Sequence, residues 1–257
     1  MTGAAIRIPR SFYMRGALAV ARDLPGMYLF RRIGGTTLAG RIVEVEAYLG
    51  SRDPASHAYR GMTPRNEVMF RGGGRLYVYF TYGMHFCCNV VAGPPGSGLA
   101  VLIRAVEPVA GIDVMTRLRS RDGRRRRMHD LCSGPGKLCQ AFGITGSDNG
   151  TDLCGDQIWL AGRGTGAKGR LARSVRIGIS RGREFPWRFY LRDNPFVSHT
   201  GGAARRAGGA HVTSGGPAHP GTPRQAESPS SSPPSSSAGG SRRRRRRPHR
   251  RRSSPGG

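Results

Sequence analysis

The chain is 257 residues long and carries 42 Lys and Arg against 15 Asp and Glu, a formal net charge of +27. That excess points to a polyanionic partner, nucleic acid first and an anionic membrane surface second. No apolar run reaches the roughly 18 residues of a membrane span and residues 1–30 lack a signal-peptide core, so the expectation is a soluble, intracellular protein with no membrane partner.

In chain order, Ala17 to Leu24 mixes apolar and charged residues at helical spacing and stops at Pro25-Gly26, which predicts a short helix. Met27 to Ile33 and Thr37 to Tyr48 read as strands joined across Gly34-Gly35. Strand side chains alternate, so in the second strand Val43, Val45 and Ala47 are expected on one face, with Glu44, Glu46 and Tyr48 on the other. Leu76 to Val91 predicts a hairpin with Tyr82 at its tip, and Leu99 to Val106 a further strand with Arg104 inside an apolar run. Gly111 to Arg119 and Pro135 to Phe142 have helical spacing, the latter with Ser133 as a plausible cap and Pro135 in the first turn. Val175 to Ile179 and Trp187 to Leu191 read as closing strands.

Strands with inserted helices predict an α+β class in a single mixed domain over residues 1–200. Residues 201–257 contain no Leu, Ile, Phe, Tyr or Trp, and hold 12 of the 42 basic residues but one of the 15 acidic ones, ending in Arg242–Arg247 and Arg250–Arg252. Such a segment cannot bury enough apolar surface to order itself, so it is read as a disordered basic tail. The glycines around Lys168 lack the GK[ST] ending of a phosphate-binding loop and read as a surface loop. Five cysteines, Cys87, Cys88, Cys132, Cys139 and Cys154, form an odd set without a CxxC pair, and the histidines show no HExxH spacing. The expectation is reduced, mostly buried thiols, with no metal and no cofactor.

Several residues invite both a functional and a structural reading. Glu46 in an apolar strand, next but one to Tyr48, could be a base for a water molecule or an edge glutamate facing solvent, as Glu44 could be. Arg104 amid buried residues needs an anionic or carbonyl partner, at a reaction centre or in a structural salt bridge. Tyr48, His57, Tyr77, Tyr79, Tyr82 and His85 suit a stacking pocket for a planar base, though core packing also produces aromatics at period two. Tyr82 beside a glycine is placed to enter a minor groove, or is a plain turn tyrosine. Asn89 could read a base edge or sit satisfied in the core. Lys137 in a first helical turn makes sense if a DNA phosphate docks there, and is otherwise a solvated lysine. The Arg124 to Arg127 run offers non-specific phosphate contacts or plain solvated charge.

Six segments together resemble the alkyladenine (3-methyladenine) DNA glycosylase family. They are Glu44-Val45-Glu46-Ala47-Tyr48, Thr63-Pro64-Arg65-Asn66, Leu76-Tyr77-Val78-Tyr79, Tyr82-Gly83-Met84, Arg104-Ala105-Val106-Glu107-Pro108 and Leu131-Cys132-Ser133-Gly134-Pro135, in the family's order and within residues 10–200. The resemblance implies a curved antiparallel sheet with surrounding helices and a protruding hairpin whose Tyr82 intercalates, with Met84 nearby. It implies that Glu46 activates the attacking water, that Arg104 lies beside that water, and that Ile177 offers it a backbone carbonyl. Tyr48, His57 and Tyr79 would sandwich the flipped base, and Asn89 would disfavour guanine.

The implied activity is base excision, in which damaged purines such as 3-methyladenine are flipped from double-stranded DNA and cut at the N-glycosidic bond. With no lysine placed as a Schiff-base nucleophile, the expected enzyme is monofunctional. It is expected to be monomeric, acting at the nucleoid in the cytoplasm of a bacterium or in the nucleus of a eukaryote. The alternative is a non-catalytic nucleic-acid-binding protein. His85 stands where the family often has tyrosine, the Arg124 to Arg127 run is unusually basic, and the tail has no family counterpart.

Overall fold

The computed structural model describes residues 6–81, 83–120, 123–124, 126–162 and 169–198. Within them nine strands form one antiparallel sheet: β1 (Ile6–Arg7), β2 (Tyr28–Ile33), β3 (Thr36–Leu49), β4 (Leu76–Thr81), β5 (His85–Ala92), β6 (Leu99–Ala110), β7 (Ile158–Gly162), β8 (Leu171–Ser174) and β9 (Arg188–Leu191). The main path runs β1-β7-β2-β3-β6-β5-β4, and β8 joins through β9, which pairs with β3. Four α-helices accompany them: α1 (Arg10–Tyr13), α2 (Ala17–Asp23), α3 (Ile112–Arg119) and α4 (Pro135–Ala141). The class is α+β, as the run of strands with inserted helices predicts.

The long strand β3 organises the rest. β6 pairs along most of it, while its other edge is shared: β2 pairs from Ile33↔Thr36 to Tyr28↔Arg41, and β9 takes over from Glu44↔Tyr190 to Glu46↔Arg188. Where the neighbour changes, the β3–β6 register shifts between Ile42 and Val45. Such a bulge re-aims side chains. The expected alternation therefore fails locally. Val45 and Ala47 join the main core, whereas Val43 packs in a separate cluster with Ala105 and Leu191. Flanked on both edges, β3 offers no solvent to Glu44, which is fully buried, and the edge-glutamate alternative is overturned for it and for Glu46 alike.

The core lies between the sheet and the helices. α2 packs on β3 through Ala17, Val20 and Ala21, a spacing of three and four that gives one apolar face. α4 packs on β5 and β6, burying Leu138, Cys139 and Ala141, with α3 beside it. Pro135 opens α4 as expected, but Ser133 is not its cap: Gly134 holds that position without a side-chain hydrogen bond. Each fully buried Leu or Phe in this layer, such as Leu138 or Phe142, contributes about 1.5–3 kcal/mol. Gly40 marks the tightest approach, since a Cβ there would meet Val106 Cγ2 at 2.7 Å. β4 and β5 pair antiparallel from Leu76↔Val90 to Thr81↔His85, and Tyr82, expected at the tip between them, lies outside the described residues.

Val175 to Ile179 is not a strand. The strand before it is β8, ending at Ser174, and residues 175–180 run as an irregular segment. Alternation would have buried Val175 and exposed Arg176; instead Val175 is 51% exposed and Arg176 is buried, because its guanidinium finds a buried carboxylate. Gly178, at φ 74°, takes a left-handed conformation that glycine adopts without steric cost and that a regular strand does not contain.

Candidate active site

Three elements converge at the C-terminal half of β3: β6 from one edge, the segment 175–180 from the other side, and the hairpin strands β4 and β5 beyond β6. Between them lies a cavity of about 420 Å³, within the range of small-ligand sites. Tyr48, His57, Tyr79, Asn89, Arg104 and Ile177, all singled out from the sequence, line it together. Tyr77 lines it too.

Glu46 sits immediately beneath this cavity and does not line it. It is fully buried, and three of the lining residues bind it. Its Oε1 accepts the backbone N–H of Ile177 at 2.7 Å and lies 3.2 Å from Nη1 of Arg104. Its Oε2 accepts the Tyr48 hydroxyl at 3.0 Å. The two residues lie on one side of β3, as alternation requires, and the hydroxyl spans the two-residue interval. Burial first, then the negative charge of Glu46, raise the Tyr48 phenol well above its ordinary value, so it stays a proton donor. The Ile177 contact made here is through its N–H.

Arg104 is held from behind as well. Its Nε donates to Glu44 Oε1 at 3.0 Å, and Glu44 also accepts Arg188 Nε at 2.7 Å, the Ser198 hydroxyl at 2.9 Å and the Ser198 backbone N–H at 2.6 Å. Two carboxylates and two guanidiniums thus balance in one buried cluster. Burial works against the charge on Arg104, but Glu46 and then Glu44 keep its guanidinium above its ordinary value. Arg104 therefore belongs to both readings weighed for it, a salt bridge and a group at the cavity.

The aromatic wall is built from β4 and the segment before it. His57 meets Tyr79 at 4.5 Å between ring centroids, near edge-on, and Tyr77 lies 5.6 Å from Tyr79 with its ring tilted by 27°. Nδ1 of His57 is 2.9 Å from the Tyr77 hydroxyl. Burial, then the charge of Arg65, lowers the His57 imidazole below its ordinary value. Burial pushes the Tyr77 phenol up to about 12 and the Cys87 thiol, also at the cavity, up to about 11. Asn89 on β5 is buried at the cavity wall, with its amide nitrogen donating to the Tyr77 carbonyl at 3.2 Å.

Met84 and Lys137, also expected at the site, do not line the cavity. Met84 is 67% exposed beyond β4 and outside the cavity lining. Tyr82 lies outside the described residues, as do Arg125, residues 163–168 and everything after Ser198. Nζ of Lys137 lies 3.3 Å from both Asp130 Oδ1 and the Ser133 hydroxyl, so it has protein partners at a helix start whose Pro135 touches the cavity. All five cysteines are free, four of them buried. Among the described residues no three His, Cys, Asp or Glu side chains gather as a metal would need, and no helix is long and apolar enough to cross a membrane.

Sequence reasoning missed one pair. Arg176 and Asp53, 123 positions apart and with both side chains fully buried, form a two-pronged ion pair at 2.6 and 2.8 Å. Nη1 of Arg176 also donates to the Ala47 carbonyl at 3.0 Å. This pair fixes the residue next to Ile177, and so the N–H that reaches Glu46.

Comparison with known proteins adds to this geometry. The sequence model of the methylpurine-DNA glycosylase (MPG) family matches residues 11–195. A Carboxydothermus hydrogenoformans protein named "Putative 3-methyladenine DNA glycosylase" is 51% identical over 192 residues, 74% of this chain and 98% of its own. Proteins of the same name from Burkholderia cenocepacia and Methanocella arvoryzae are 49% and 45% identical over 193 and 194 residues, each covering 74% of this chain and 90% and 95% of their own.

Proposed function

The chain belongs to the methylpurine-DNA glycosylase family, and we propose on that footing that it removes alkylated purines such as 3-methyladenine from double-stranded DNA, with Glu46 activating the water that cleaves the N-glycosidic bond. The observation that carries this reading is a buried carboxylate ringed by Arg104, Tyr48 and the Ile177 N–H at the foot of an aromatic-lined cavity.

The basic surface holds the duplex, Tyr82 enters the minor groove with Met84 beside it, and Lys137 meets a backbone phosphate. The lesion rotates out of the stack at a cost of a few kcal/mol, least for a damaged base that pairs poorly. In the cavity Tyr48 covers one face of the base, and His57 with Tyr79 covers the other. Asn89 narrows the wall against the exocyclic amino group of guanine. Neutral His57 adds no positive charge to a site that takes cationic bases.

Oε1 of Glu46 accepts the Ile177 N–H and lies 3.2 Å from the Arg104 guanidinium, Oε2 accepts the Tyr48 hydroxyl, and the proton of the attacking water passes to this carboxylate. Arg104, clamped by Glu44 and Glu46, lies beside the water during the reaction. The anomeric carbon passes through an oxocarbenium-like transition state as the purine leaves. Among the described residues that line the cavity none is a lysine able to form a Schiff base with the sugar, so the product is an intact strand with an abasic site. Residues 1–200 carry the reaction, and the basic segment 201–257 adds non-specific DNA affinity.

The test is single-turnover release of free base from methylated and hypoxanthine-containing duplexes, with alkali to reveal abasic sites, in the wild type and Glu46→Gln. The wild type is expected to release 3-methyladenine, and Glu46→Gln to bind the same duplex and release none. Lesion binding with no release of any purine by the wild type would move the protein to the class of non-catalytic nucleic-acid-binding proteins.

A further inference from the structure

Behind Tyr48 the structure holds a stack of planar groups that the proposed reaction does not use. The guanidinium of Arg176 lies 4.7 Å from the centroid of the Tyr48 ring and 4.9 Å from that of Trp187, so it is clasped between them. Trp187 in turn stacks on Phe185 at 4.2 Å and 7°. Tyr48 lines the cavity and Arg176 does not, so the guanidinium meets the ring from the side away from the cavity. A base bound on Tyr48 would be the next layer of this stack, with a permanent cation two layers beneath it.

Such a cation is an odd foundation for a site that takes positively charged purines. A guanidinium does not lose its proton in a protein, and one bound to the rear of an aromatic ring draws on the same π-electron density that attracts a cation at the front. Taking about 4.5 Å for each stacking step, two unit charges would stand about 9 Å apart. At an effective dielectric constant of about 20 their repulsion corresponds to a roughly twentyfold penalty, about 1.8 kcal/mol. Asp53 cancels most of it, because its carboxylate lies against the guanidinium at 2.6 and 2.8 Å with both side chains fully buried.

We propose that Asp53 is a specificity-determining residue: by neutralising Arg176 behind Tyr48, it lets the cavity accept cationic purines, while Arg176 itself keeps the Tyr48 ring in place. This rests on the glycosylase reading, with Tyr48 as the floor of the base site. It predicts a change in substrate choice and not only in overall rate, because a neutral purine feels little of the uncompensated charge.

The experiment compares single-turnover release of 7-methylguanine, cationic in DNA, with that of hypoxanthine, which is neutral, using the full chain. Asp53→Asn should lower the ratio of the two rates roughly tenfold, near the twentyfold limit set by Coulomb repulsion. Asp53→Ser, which leaves room for a water on the guanidinium, carries the same charge change and should move the ratio the same way. It stands in if the amide variant does not fold. The double variant Asp53→Asn with Arg176→Gln removes the buried charge altogether and should return the ratio to within about threefold of wild type. Loss of folded protein scales both rates together and leaves the ratio alone. A ratio unmoved in the Asp53 variants, or one still depressed in the double variant, overturns the role given to Asp53. Release of neither base by the wild type overturns instead the glycosylase reading beneath it.

Discussion

Replacing Glu44 by Gln tests the claim that the buried charge cluster holds the site together. Glu44 accepts four hydrogen bonds, two of them from guanidiniums, with its side chain fully buried. A glutamine has one acceptor oxygen. If that oxygen takes the place facing Arg104, Arg188 and the Ser198 hydroxyl, the new NH₂ confronts the Ser198 N–H, which stood 2.6 Å from the carboxylate. Reversing the amide sets it against two cations. Removing one partner of a buried ion pair costs about 3–5 kcal/mol, because the other charge stays buried. For a domain of this size each kcal/mol lowers the melting temperature by about 2–4 °C, so Glu44→Gln should melt about 10–15 °C below wild type in a calorimetric or circular-dichroism scan. Glu67, whose side chain is 46% exposed and paired with Arg71 one helical turn on, provides the control. Its change to Gln should cost no more than about 0.5 kcal/mol, a shift within about 2 °C. A Glu44→Gln protein melting within about 3 °C of wild type would refute the energetic argument.

His57 has its imidazole held below the usual value of about 6.5, so as the pH falls the unfolded chain takes up the proton first. The stability linked to neutral His57 is complete above about 6.5 and is lost as the pH drops through the lower folded value. His57→Gln lacks this component, so its urea midpoint should fall less than that of wild type between pH 7.5 and pH 5; identical falls would contradict it. Deleting residues 201–257, which hold 12 of the 42 basic residues, should weaken binding to undamaged duplex at low salt and flatten its salt dependence, by about 0.9 in the log–log slope for each phosphate no longer neutralised. Single-turnover base release at saturating enzyme should stay within about twofold, since the tail is assigned the electrostatic, sequence-independent part of binding. A collapse of that rate would place the tail inside the catalytic unit.

The elements legible in the sequence are those whose pattern is set by neighbours a few residues away. α2 announces itself by apolar residues at spacing three and four and by Pro25-Gly26, and β4 and β5 by alternation on either side of a glycine. The exchange of β2 for β9 along the edge of β3 is not legible. It depends on a strand about 150 residues later, and the bulge it accompanies sends Val43 to a different cluster from Val45 and Ala47. Alternation alone therefore places Glu46 and Tyr48 correctly on one side, beyond the bulge, and misjudges the stretch across it.

The site divides the same way. Glu46 and Tyr48 can be paired from their spacing, because two residues along a strand is the reach of a phenol to a carboxylate. Glu44 cannot be told from a surface glutamate, because its partners Arg188 and Ser198 stand 144 and 154 positions away. Arg104 and Arg176 make the sharper comparison. Both are arginines between apolar neighbours, and a guanidinium in such a place needs an anion. In the run from Val101 to Val106 that demand points to buried carboxylates, and Arg104 has them. In Val175-Arg176-Ile177 a strand reading offers a simpler answer, an outward-facing arginine among inward-facing Val and Ile, and the demand for a partner lapses. The structure inverts that answer, with Val175 outside and Arg176 within, because a two-pronged bond to a buried carboxylate outweighs the burial of one valine. An arginine flanked by branched apolar residues next to a glycine therefore calls for an acid before the strand is accepted, and here the acid is Asp53, paired with the guanidinium that lies against the Tyr48 ring.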